Sequence, residues 1–299
     1  MRSLITGGRG FVGTWLAEFL RGIGDQVVQI DQEVEITDPA ALLAAVSDAA
    51  PDAIYHLAAM THVGQSWEEP LRVLEVNVLG TAALLGAARE CGTEPRVLVT
   101  SSAEVYGTVT DPAQLPLTER SPTAPLTPYA ASKLAAEALC TQAWLAYGQQ
   151  VVMVRPFNHI GPGQSPNFAV SALAKRIVDA ERSGAAVIPV GNLSARRDFT
   201  DVRDVVRSYR LLVESGVPGT VYNVCSGVDV SIQDIADRLL AAAGSSVRLV
   251  PDPALMRPVE VPVLRGDPER LRDATGWVPE VPLDLTLADV LSHWRSAPA

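Results

Sequence analysis

The stretch Thr6-Gly7-Gly8-Arg9-Gly10-Phe11-Val12-Gly13 decides the fold, because it separates a short apolar run from a segment with helical periodicity. Glycines at such a junction let the backbone turn sharply and approach a pyrophosphate, while the N-terminus of the following helix offers free amides. Tight strand-to-helix turns also use glycine for purely structural reasons. Asp31 ends the next apolar run, where an acid would hydrogen-bond an adenosine ribose, so the context predicts a dinucleotide-binding loop.

The residues around Asp31 bear on the choice between NAD and NADP. Asp31, Gln32 and Glu33 offer no cation for a 2′-phosphate, which favours NAD(H). Arg9 can reach such a phosphate, so NADP(H) stays open and the predicted cofactor is NAD(P)H. The residues of this region that we expect to contact the cofactor are Gly7, Gly10, Phe11, Val12, Gly13 and Asp31.

Short apolar runs alternate with helical patterns through the first half of the chain. This alternation predicts an α/β protein with a Rossmann-type, doubly wound parallel sheet and helices on both faces. The predicted strands are 3–5, 26–31, 53–57, 96–100 and 151–155, and the predicted helices are 11–22, 39–49, 71–90 and 128–147.

Beyond Pro156 the pattern loosens into loops with proline and glycine and interspersed helices, which is typical of a smaller C-terminal α/β substrate lobe. We assign 1–157 and 197–228 to the dinucleotide-binding domain. The remaining segments, 158–196 and 229–299, form the predicted substrate-binding lobe.

Tyr129 and Lys133 lie one helical turn apart, in a chain that has only two lysines among its 24 basic residues. Residues four apart share a helix face, so the ammonium can lower the pKa of the phenol and make it a proton donor or acceptor near neutral pH. Both side chains can equally be ordinary helix residues. The pair is therefore a candidate for proton transfer that requires support from other motifs.

The composition excludes several classes of protein. The net charge of −10 argues against nucleic acid as a partner, although a local basic pocket for a phosphate is compatible with it. Three cysteines without metal-like spacing predict reduced thiols and a cytoplasmic protein, and four scattered histidines predict no metal site. Residues 1–6 run directly into the glycines, so we expect neither a signal peptide nor a membrane span.

Several ordered motifs together resemble the extended short-chain dehydrogenase/reductases that act on nucleotide sugars, and the resemblance covers almost the whole chain. The motifs are the glycine loop, His56-Leu57-Ala58-Ala59, Asn77-Val78-Leu79-Gly80-Thr81, Ser101-Ser102-Ala103-Glu104-Val105-Tyr106-Gly107, the Tyr129/Lys133 pair and Arg197-Asp198-Phe199-Thr200-Asp201-Val202.

The resemblance implies a role for each of these residues. Ser102 would hydrogen-bond the reacting sugar oxygen, Tyr129 would exchange the proton, and Lys133 would also hold the nicotinamide ribose. Ser102 can alternatively cap a turn, and Glu104 can be either a catalytic base or a solvated loop acid. The crossover after Asp31 is short, and the resemblance then implies that Glu35 and Ile36 contact adenine and that Leu57, Ala58 and Ala59 contact the cofactor.

Two further stretches resemble enzymes of GDP-4-keto-6-deoxy-mannose metabolism, a group of reductases and 4,6-dehydratases. They are 155–164, which begins Arg-Pro-Phe-Asn, and 257–262, Arg-Pro-Val-Glu-Val-Pro. The resemblance implies a GDP-linked hexose as substrate. Asn158, Lys175, Arg197, Arg257 and Glu260 are its expected contacts, although Lys175 can equally be a solvated helix residue.

One position separates reductase from dehydratase. Related dehydratases place an acid or serine, which helps the 6-hydroxyl leave, where this chain has Ala103. A Ser/Tyr/Lys set without that group is sufficient for carbonyl reduction, so we expect reduction at C4 that gives GDP-D-rhamnose. Glu104 keeps the dehydratase alternative open, and a 4-epimerase or a non-catalytic cofactor-binding relative are further alternatives.

The resemblance also implies a homodimer in which the helices near 71–90 and 128–147 form a four-helix bundle. Apolar residues such as Leu134, Ala138 and Leu139 fit either a core or such an interface.

Overall fold

The computed structural model describes residues 1–109, 111–255 and 261–298. Its strands are β1 (Arg2–Thr6), β2 (Gln26–Ile30), β3 (Ala53–His56), β4 (Arg96–Thr100), β5 (Val151–Pro156), β6 (Asn158–Ile160), β7 (Val187–Val190), β8 (Arg196–Asp201), β9 (Val221–Val224), β10 (Asp229–Ser231), β11 (Arg248–Pro251) and β12 (Val263–Leu264). Its α-helices are α1 (Phe11–Gly22), α2 (Pro39–Ala49), α3 (Val63–Glu68), α4 (Pro70–Leu74), α5 (Gly80–Glu90), α6 (Pro128–Tyr147), α7 (Ala169–Ser183), α8 (Val202–Ser215), α9 (Ile232–Ala243), α10 (Glu269–Thr275) and α11 (Leu283–Ser296).

Six parallel strands form the central sheet in the order β2-β1-β3-β4-β5-β9. The chain steps outward from β1 to β2 and then crosses to β3 on the other side of β1. In such sheets, ligands bind outside the carboxyl ends of the strands at this switch point. The predicted Rossmann-type fold is confirmed, and the glycine loop lies at the switch point.

Apolar side chains cover both faces of this sheet. One cluster packs Leu16 and Leu20 of α1 and Val205 and Leu212 of α8 against the strands. The cluster on the other face joins α2, α5 and α6 to the sheet. The inner strands β3, β4 and β5 are mostly apolar because helices cover both faces of the sheet there, whereas the edge strand β2 is partly exposed.

The substrate lobe has its own strands and core. Strand β8 pairs with β6, β10 and β12, and β11 pairs with β7. Helices α7, α9 and α11 enclose a separate apolar cluster. The predicted boundary at 197 falls inside β8, a strand of the lobe, whereas β9 joins the central sheet. The division into two domains stays a prediction.

The predicted helix 71–90 is present but contains a π-helical turn. A π-helical turn at Glu75–Leu79 joins α4 to α5, so the helix runs from Pro70 to Glu90. Among the described residues, this helix alone is long and apolar enough to cross a membrane by length and composition. Leu84, Leu85, Ala87 and Ala88 of the same helix are buried against the sheet, as in the core helix of a globular domain.

Candidate active site

The glycine loop between β1 and α1 fits a dinucleotide phosphate. Gly7 has a φ of +66°, which disfavours residues with a side chain, and a Cβ there would lie 2.8 Å from the amide nitrogen of Ala58. A Cβ at Gly13 would overlap the Gly7 carbonyl oxygen. The loop thus brings backbone against backbone and leaves open space in front of the first turn of α1, where the helix dipole favours an anion.

Asp31, at the end of β2, ties the glycine loop to the second strand. Its carboxylate accepts hydrogen bonds from the backbone amides of Arg9 at 2.8 Å and Gln32 at 3.0 Å. The Arg9 guanidinium pairs with Glu33 at 3.0 Å, and both side chains are well exposed. A 2′-hydroxyl would meet the Asp31 carboxylate, whereas a 2′-phosphate would have to draw Arg9 away from Glu33.

His56 joins the carboxyl ends of β1 and β3 beneath the loop. Its ring nitrogens bond to the hydroxyls of Thr6 at 2.8 Å and Thr81 at 3.1 Å, and the Thr6 hydroxyl also accepts the Ala58 amide. Burial, together with the Lys133 cation, lowers the pKa of His56 to about 3. The ring is therefore neutral at physiological pH and serves to fix the strand ends.

Helix α6 presents Tyr129 and Lys133 to the cavity. It begins at Pro128 after Thr127, whose hydroxyl accepts the Ala130 amide, so the cap places Tyr129 in the first turn. The Lys133 ammonium donates a 2.8 Å hydrogen bond to the Thr100 carbonyl at the end of β4. It lies 5.9 Å from the centre of the Tyr129 ring, so the predicted pairing on one helix face is present.

The expected lowering of the Tyr129 pKa was wrong. Burial raises the pKa of the phenol to about 12, a hydrogen bond with Ser102 lowers it, and the Glu104 carboxylate raises it. Burial also lowers the pKa of Lys133 to about 8. The ammonium donates its hydrogen bond to the Thr100 carbonyl, and the loss of water around the phenol has the largest effect on the pKa of Tyr129.

Ser102 caps a turn beside Tyr129, and its predicted hydrogen bond to the sugar oxygen stays a prediction. It begins a 3₁₀ turn at Ala103–Tyr106, and its hydroxyl accepts the Glu104 amide at 3.1 Å, which is the predicted turn cap. The same hydroxyl lies close enough to the Tyr129 phenol to lower its pKa. Ala103 is 2% exposed and packs with Phe157 and Leu264 in an apolar cluster that joins the two lobes below the site.

A cavity of about 1370 Å³ runs from the glycine loop to the substrate lobe. It brings together most of the residues predicted from the sequence, and their individual roles stay predictions. They are Gly7, Gly10, Phe11, Val12, Gly13, Asp31, Glu35, Ile36, Leu57, Ala58, Ala59, Ser102, Glu104, Tyr129, Lys133, Asn158 and Arg197. Arg257 and Glu260 lie outside the described residues.

Lys175 does not join this group. Its ammonium pairs with Asp179 at 2.6 Å and lies over the Trp294 ring, away from the cavity lining. Arg176 lines the cavity instead and donates to the Pro189 carbonyl at 2.7 Å. Consecutive helix residues point about 100° apart, so the apolar periodicity of α7 would have distinguished the two.

The predicted absence of a metal stays a prediction. Across residues 1–109, 111–255 and 261–298, no three His, Cys, Asp or Glu side chains come close enough to hold an ion.

Comparison with known proteins places this site in a family. The sequence model of a family described as GDP-mannose 4,6 dehydratase matches residues 32–290. The chain belongs to the GDP-mannose 4,6-dehydratase family. This membership confirms the resemblance to extended short-chain dehydrogenase/reductases, together with the predicted class of NAD(P)-dependent oxidoreductase.

Individual members of the wider group cover the full length of the chain. GDP-6-deoxy-D-mannose reductase of Pseudomonas aeruginosa is 39% identical over 99% of this chain and 97% of its own length. The solved structure of RMD from Pseudomonas aeruginosa complexed with NADPH has a TM-score of 0.91 and 38% identity over 99% of both chains. UDP-glucose 4-epimerase of Thermus thermophilus, complexed with NAD, has a TM-score of 0.88 and 28% identity over all of both chains. The expectation of a nicotinamide dinucleotide agrees with both structures.

Proposed function

We propose that the protein reduces the C4 ketone of GDP-4-keto-6-deoxy-D-mannose with NAD(P)H and forms GDP-D-rhamnose. The observation that carries the proposal is the turn beside Tyr129, in which Ala103 stands between Ser102 and Glu104. A methyl group neither donates a proton nor assists a leaving hydroxyl. Tyr129, with its pKa raised to about 12 by burial, keeps its proton at neutral pH, and a ketone that accepts a hydride requires a proton donor.

Different residues of the cavity bind the cofactor, orient the ketone and donate the proton. Bound nicotinamide supplies the hydride. The glycine loop and the first turn of α1 would hold the pyrophosphate, and Asp31 would hold the adenosine ribose. Ser102 orients the carbonyl oxygen through a hydrogen bond, and Tyr129 donates its proton to that oxygen. The Lys133 cation, one helical turn away, stabilises the phenolate that remains.

Guanidinium groups suit the diphosphate of the substrate. Arg176 and Arg197 line the lobe side of the cavity, in a chain with a net charge of −10. A planar guanidinium bonds two phosphoryl oxygens at once, so local arginines fit a nucleoside diphosphate better than a neutral sugar. The name of the Pseudomonas aeruginosa reductase supports GDP as that diphosphate.

The assay mixes purified protein with GDP-4-keto-6-deoxy-D-mannose and NADH or NADPH and follows the absorbance of the reduced nicotinamide. We expect oxidation of the cofactor and a product with the mass of GDP-deoxyhexose. No oxidation with either cofactor would overturn the proposal. Titration with GDP, UDP and dTDP then identifies the base, and GDP should bind most tightly.

Glu104 favours one second candidate, GDP-mannose 4,6-dehydratase. Its carboxylate lines the cavity near Tyr129 and raises the pKa of the phenol. A dehydratase requires a base at this position. That activity would convert GDP-mannose without net change of cofactor, because the hydride removed at C4 returns to the sugar. Incubation with GDP-mannose alone separates the two functions, and inversion of an unoxidised sugar would indicate a 4-epimerase.

Lys133 predicts the pH dependence of the reduction. Burial lowers the pKa of Lys133 to about 8, so the cation that stabilises the phenolate is lost as the pH rises through about 8. Tyr129 stays protonated over the same range. We expect kcat to fall about tenfold per pH unit above that point. Lys133→Met should be slower at neutral pH and should lack this fall, and a flat wild-type profile would contradict the assignment.

The exposed faces of α4, of the π-helical turn that follows it and of α6 support a homodimer through a four-helix bundle. Leu71 is 80% exposed and Leu79 is 59% exposed, and both border a shallow apolar groove that reaches Ala135 of α6. Contiguous apolar surface of this kind is typical of an interface. The three free cysteines further support a cytoplasmic location, where thiols stay reduced.

Leu71→Glu should dissociate this dimer, because a carboxylate would be buried without a partner in the apolar interface. Light scattering should give about twice 31.8 kDa for the wild type and 31.8 kDa for the variant. Leu285→Glu, at a leucine of α11 that is 49% exposed, is the control and should leave the mass unchanged. A wild-type mass of one chain would exclude the dimer.

A further inference from the structure

A buried ion pair lies directly behind the candidate catalytic residues. Glu137 follows Lys133 by four residues and Tyr129 by eight, so all three occupy one face of α6. The Glu137 carboxylate accepts hydrogen bonds from Arg155 Nε at 2.8 Å and from the Arg155 terminal nitrogen Nη2 at 2.7 Å. The two side chains are 8% and 7% exposed, and neither lines the cavity.

The same carboxylate also holds the end of strand β4. Ser101 donates its hydroxyl to Glu137 at 2.5 Å, and the next residue is Ser102. Arg155 lies on β5, three residues before Asn158 at the substrate side of the cavity. One carboxylate therefore connects the helix of the proton donor to the two strand ends that carry the residues facing the sugar.

A second contact extends this connection to β9. The Arg155 guanidinium lies 4.8 Å from the centre of the Tyr106 ring, at the end of the turn that Ser102 begins. The Tyr106 hydroxyl donates to the Asn223 side chain at 2.7 Å. Both ends of the Ser102–Tyr106 segment are thereby held, one through Ser101 and the other through Tyr106.

Stability is a poor explanation for burying these charges. The cost of removing two charges from water often exceeds their attraction, and well-packed neutral residues of similar volume are frequently as stable. Among the described residues, Arg155 Nη1 is buried without a hydrogen-bond partner, which adds to the cost. The bidentate geometry instead fixes the orientation of the Glu137 and Arg155 side chains and the distance between them.

We propose that Glu137 and Arg155 are positioning residues that hold the strand end carrying Ser102 in place beside the helix of Tyr129, and that the hydroxyl of Ser101 transmits this constraint. The inference rests on the proposed function, because it assigns a role in the same site. Catalytic groups displaced by about 1 Å can lose about a hundredfold in rate, so a constraint on one strand end is sufficient to affect turnover.

Ser101→Ala tests the link while it leaves the ion pair intact. We expect kcat to fall about tenfold or more, with the NAD(P)H dissociation constant within about twofold of wild type. The melting temperature should fall by only a few degrees, because one buried hydrogen bond to a carboxylate is lost. Ser101→Thr keeps a hydroxyl and should restore most of kcat. Wild-type kcat for Ser101→Ala, or equal loss for both variants, would overturn the proposal.

The amino edge of the sheet offers a matched control. Ser3 donates a 2.7 Å hydrogen bond to Asp25, a buried carboxylate that also pairs with Arg210. This arrangement of serine, acid and arginine resembles that of Ser101, Glu137 and Arg155. It lies at the opposite end of β1 from the glycine loop. Ser3→Ala should leave kcat unchanged, and a comparable loss there would overturn the specific role of Ser101.

A double variant separates positioning from folding. Glu137→Gln alone leaves the buried Arg155 cation without its carboxylate partner and can fail to fold. Glu137→Gln combined with Arg155→Met removes both charges. We expect the double variant to fold with a low kcat, and wild-type kcat in the folded double variant would contradict the inference. If the double variant also fails to fold, Ser101→Ala decides alone.

Crystal structures of the wild type and Ser101→Ala supply a measurement that needs no substrate. We expect the Ser102 hydroxyl to move away from Tyr129 in the variant, and unchanged positions would overturn the proposal. A wild-type protein that fails to reduce the keto sugar but shows this displacement would reject the proposed function alone.

Discussion

Tyr129→Phe should lose about a thousandfold in kcat for reduction of the keto sugar, while NAD(P)H binds with wild-type affinity. Removal of one positioned proton donor costs about a hundredfold to ten-thousandfold, and the raised pKa of Tyr129 makes it a donor that is almost fully protonated at neutral pH. The phenyl ring preserves the packing of a residue that is 8% exposed, so the fold should be retained. Cofactor binding is followed by nicotinamide fluorescence and turnover by its absorbance.

Tyr147→Phe is the matched control for this substitution. Tyr147 is the last residue of the same helix and is 55% exposed. Its ring lies under the Arg89 guanidinium, away from the cavity. Its variant should turn over as the wild type does. If Tyr129→Phe kept more than a tenth of wild-type kcat, another acid would have to supply the proton, and Glu104 would be the first to examine.

Gly13→Ala should weaken the binding of NAD(P)H about tenfold to a hundredfold. The new Cβ would overlap the Gly7 carbonyl oxygen and lie 2.8 Å from the carbonyl carbon of Gly8, so the loop must move away from the helix N-terminus. Overpacking of this kind costs about 1 to 3 kcal/mol, and each 1.4 kcal/mol corresponds to about a factor of ten in affinity. Isothermal titration with NADH and NADPH measures the effect.

Gly22→Ala provides the comparison within the same helix. A Cβ at Gly22, the last residue of α1, would meet no other atom within 4 Å. Replacing this glycine by alanine should stabilise the helix slightly and leave cofactor affinity unchanged. Wild-type affinity in Gly13→Ala would show that the close contact between loop and helix is not required for binding.

The cofactor half of the site could be predicted from local sequence because its signals are local. A strand, three spaced glycines and a helix occupy the 21 residues from 2 to 22, and Asp31 follows directly after β2. Strand and helix bounds near Thr6, Gly22 and Tyr147 agree with the prediction to within one or two residues for the same reason. Cap residues such as Thr127 mark helix starts without reference to the rest of the chain.

The substrate half was predicted less well. Lys175 was predicted as a substrate contact from its place on α7, but Arg176 lines the cavity instead, because the packing of Leu173 and Ile177 fixes the rotation of the helix. The Tyr129 pKa was misjudged because sequence spacing shows that Lys133 is near but not where its ammonium points. Glu137 was overlooked as part of the site, although its spacing of four from Lys133 was visible.

The sequence by itself determined the doubly wound sheet, the dinucleotide loop and the pairing of Tyr129 with Lys133 on one helix face, because each follows from periodicity or from residues close together in the chain. The prediction of Ser102 came from the resemblance to a known family. Only the tertiary structure decided the protonation of Tyr129, the partner of Lys133 and the joining of Ser101, Glu137 and Arg155. Those depend on burial and on contacts between segments 18 to 36 residues apart in the chain. The burial of an ionisable group and the orientation of a side chain arise only when distant segments pack together, so they cannot be read from the sequence.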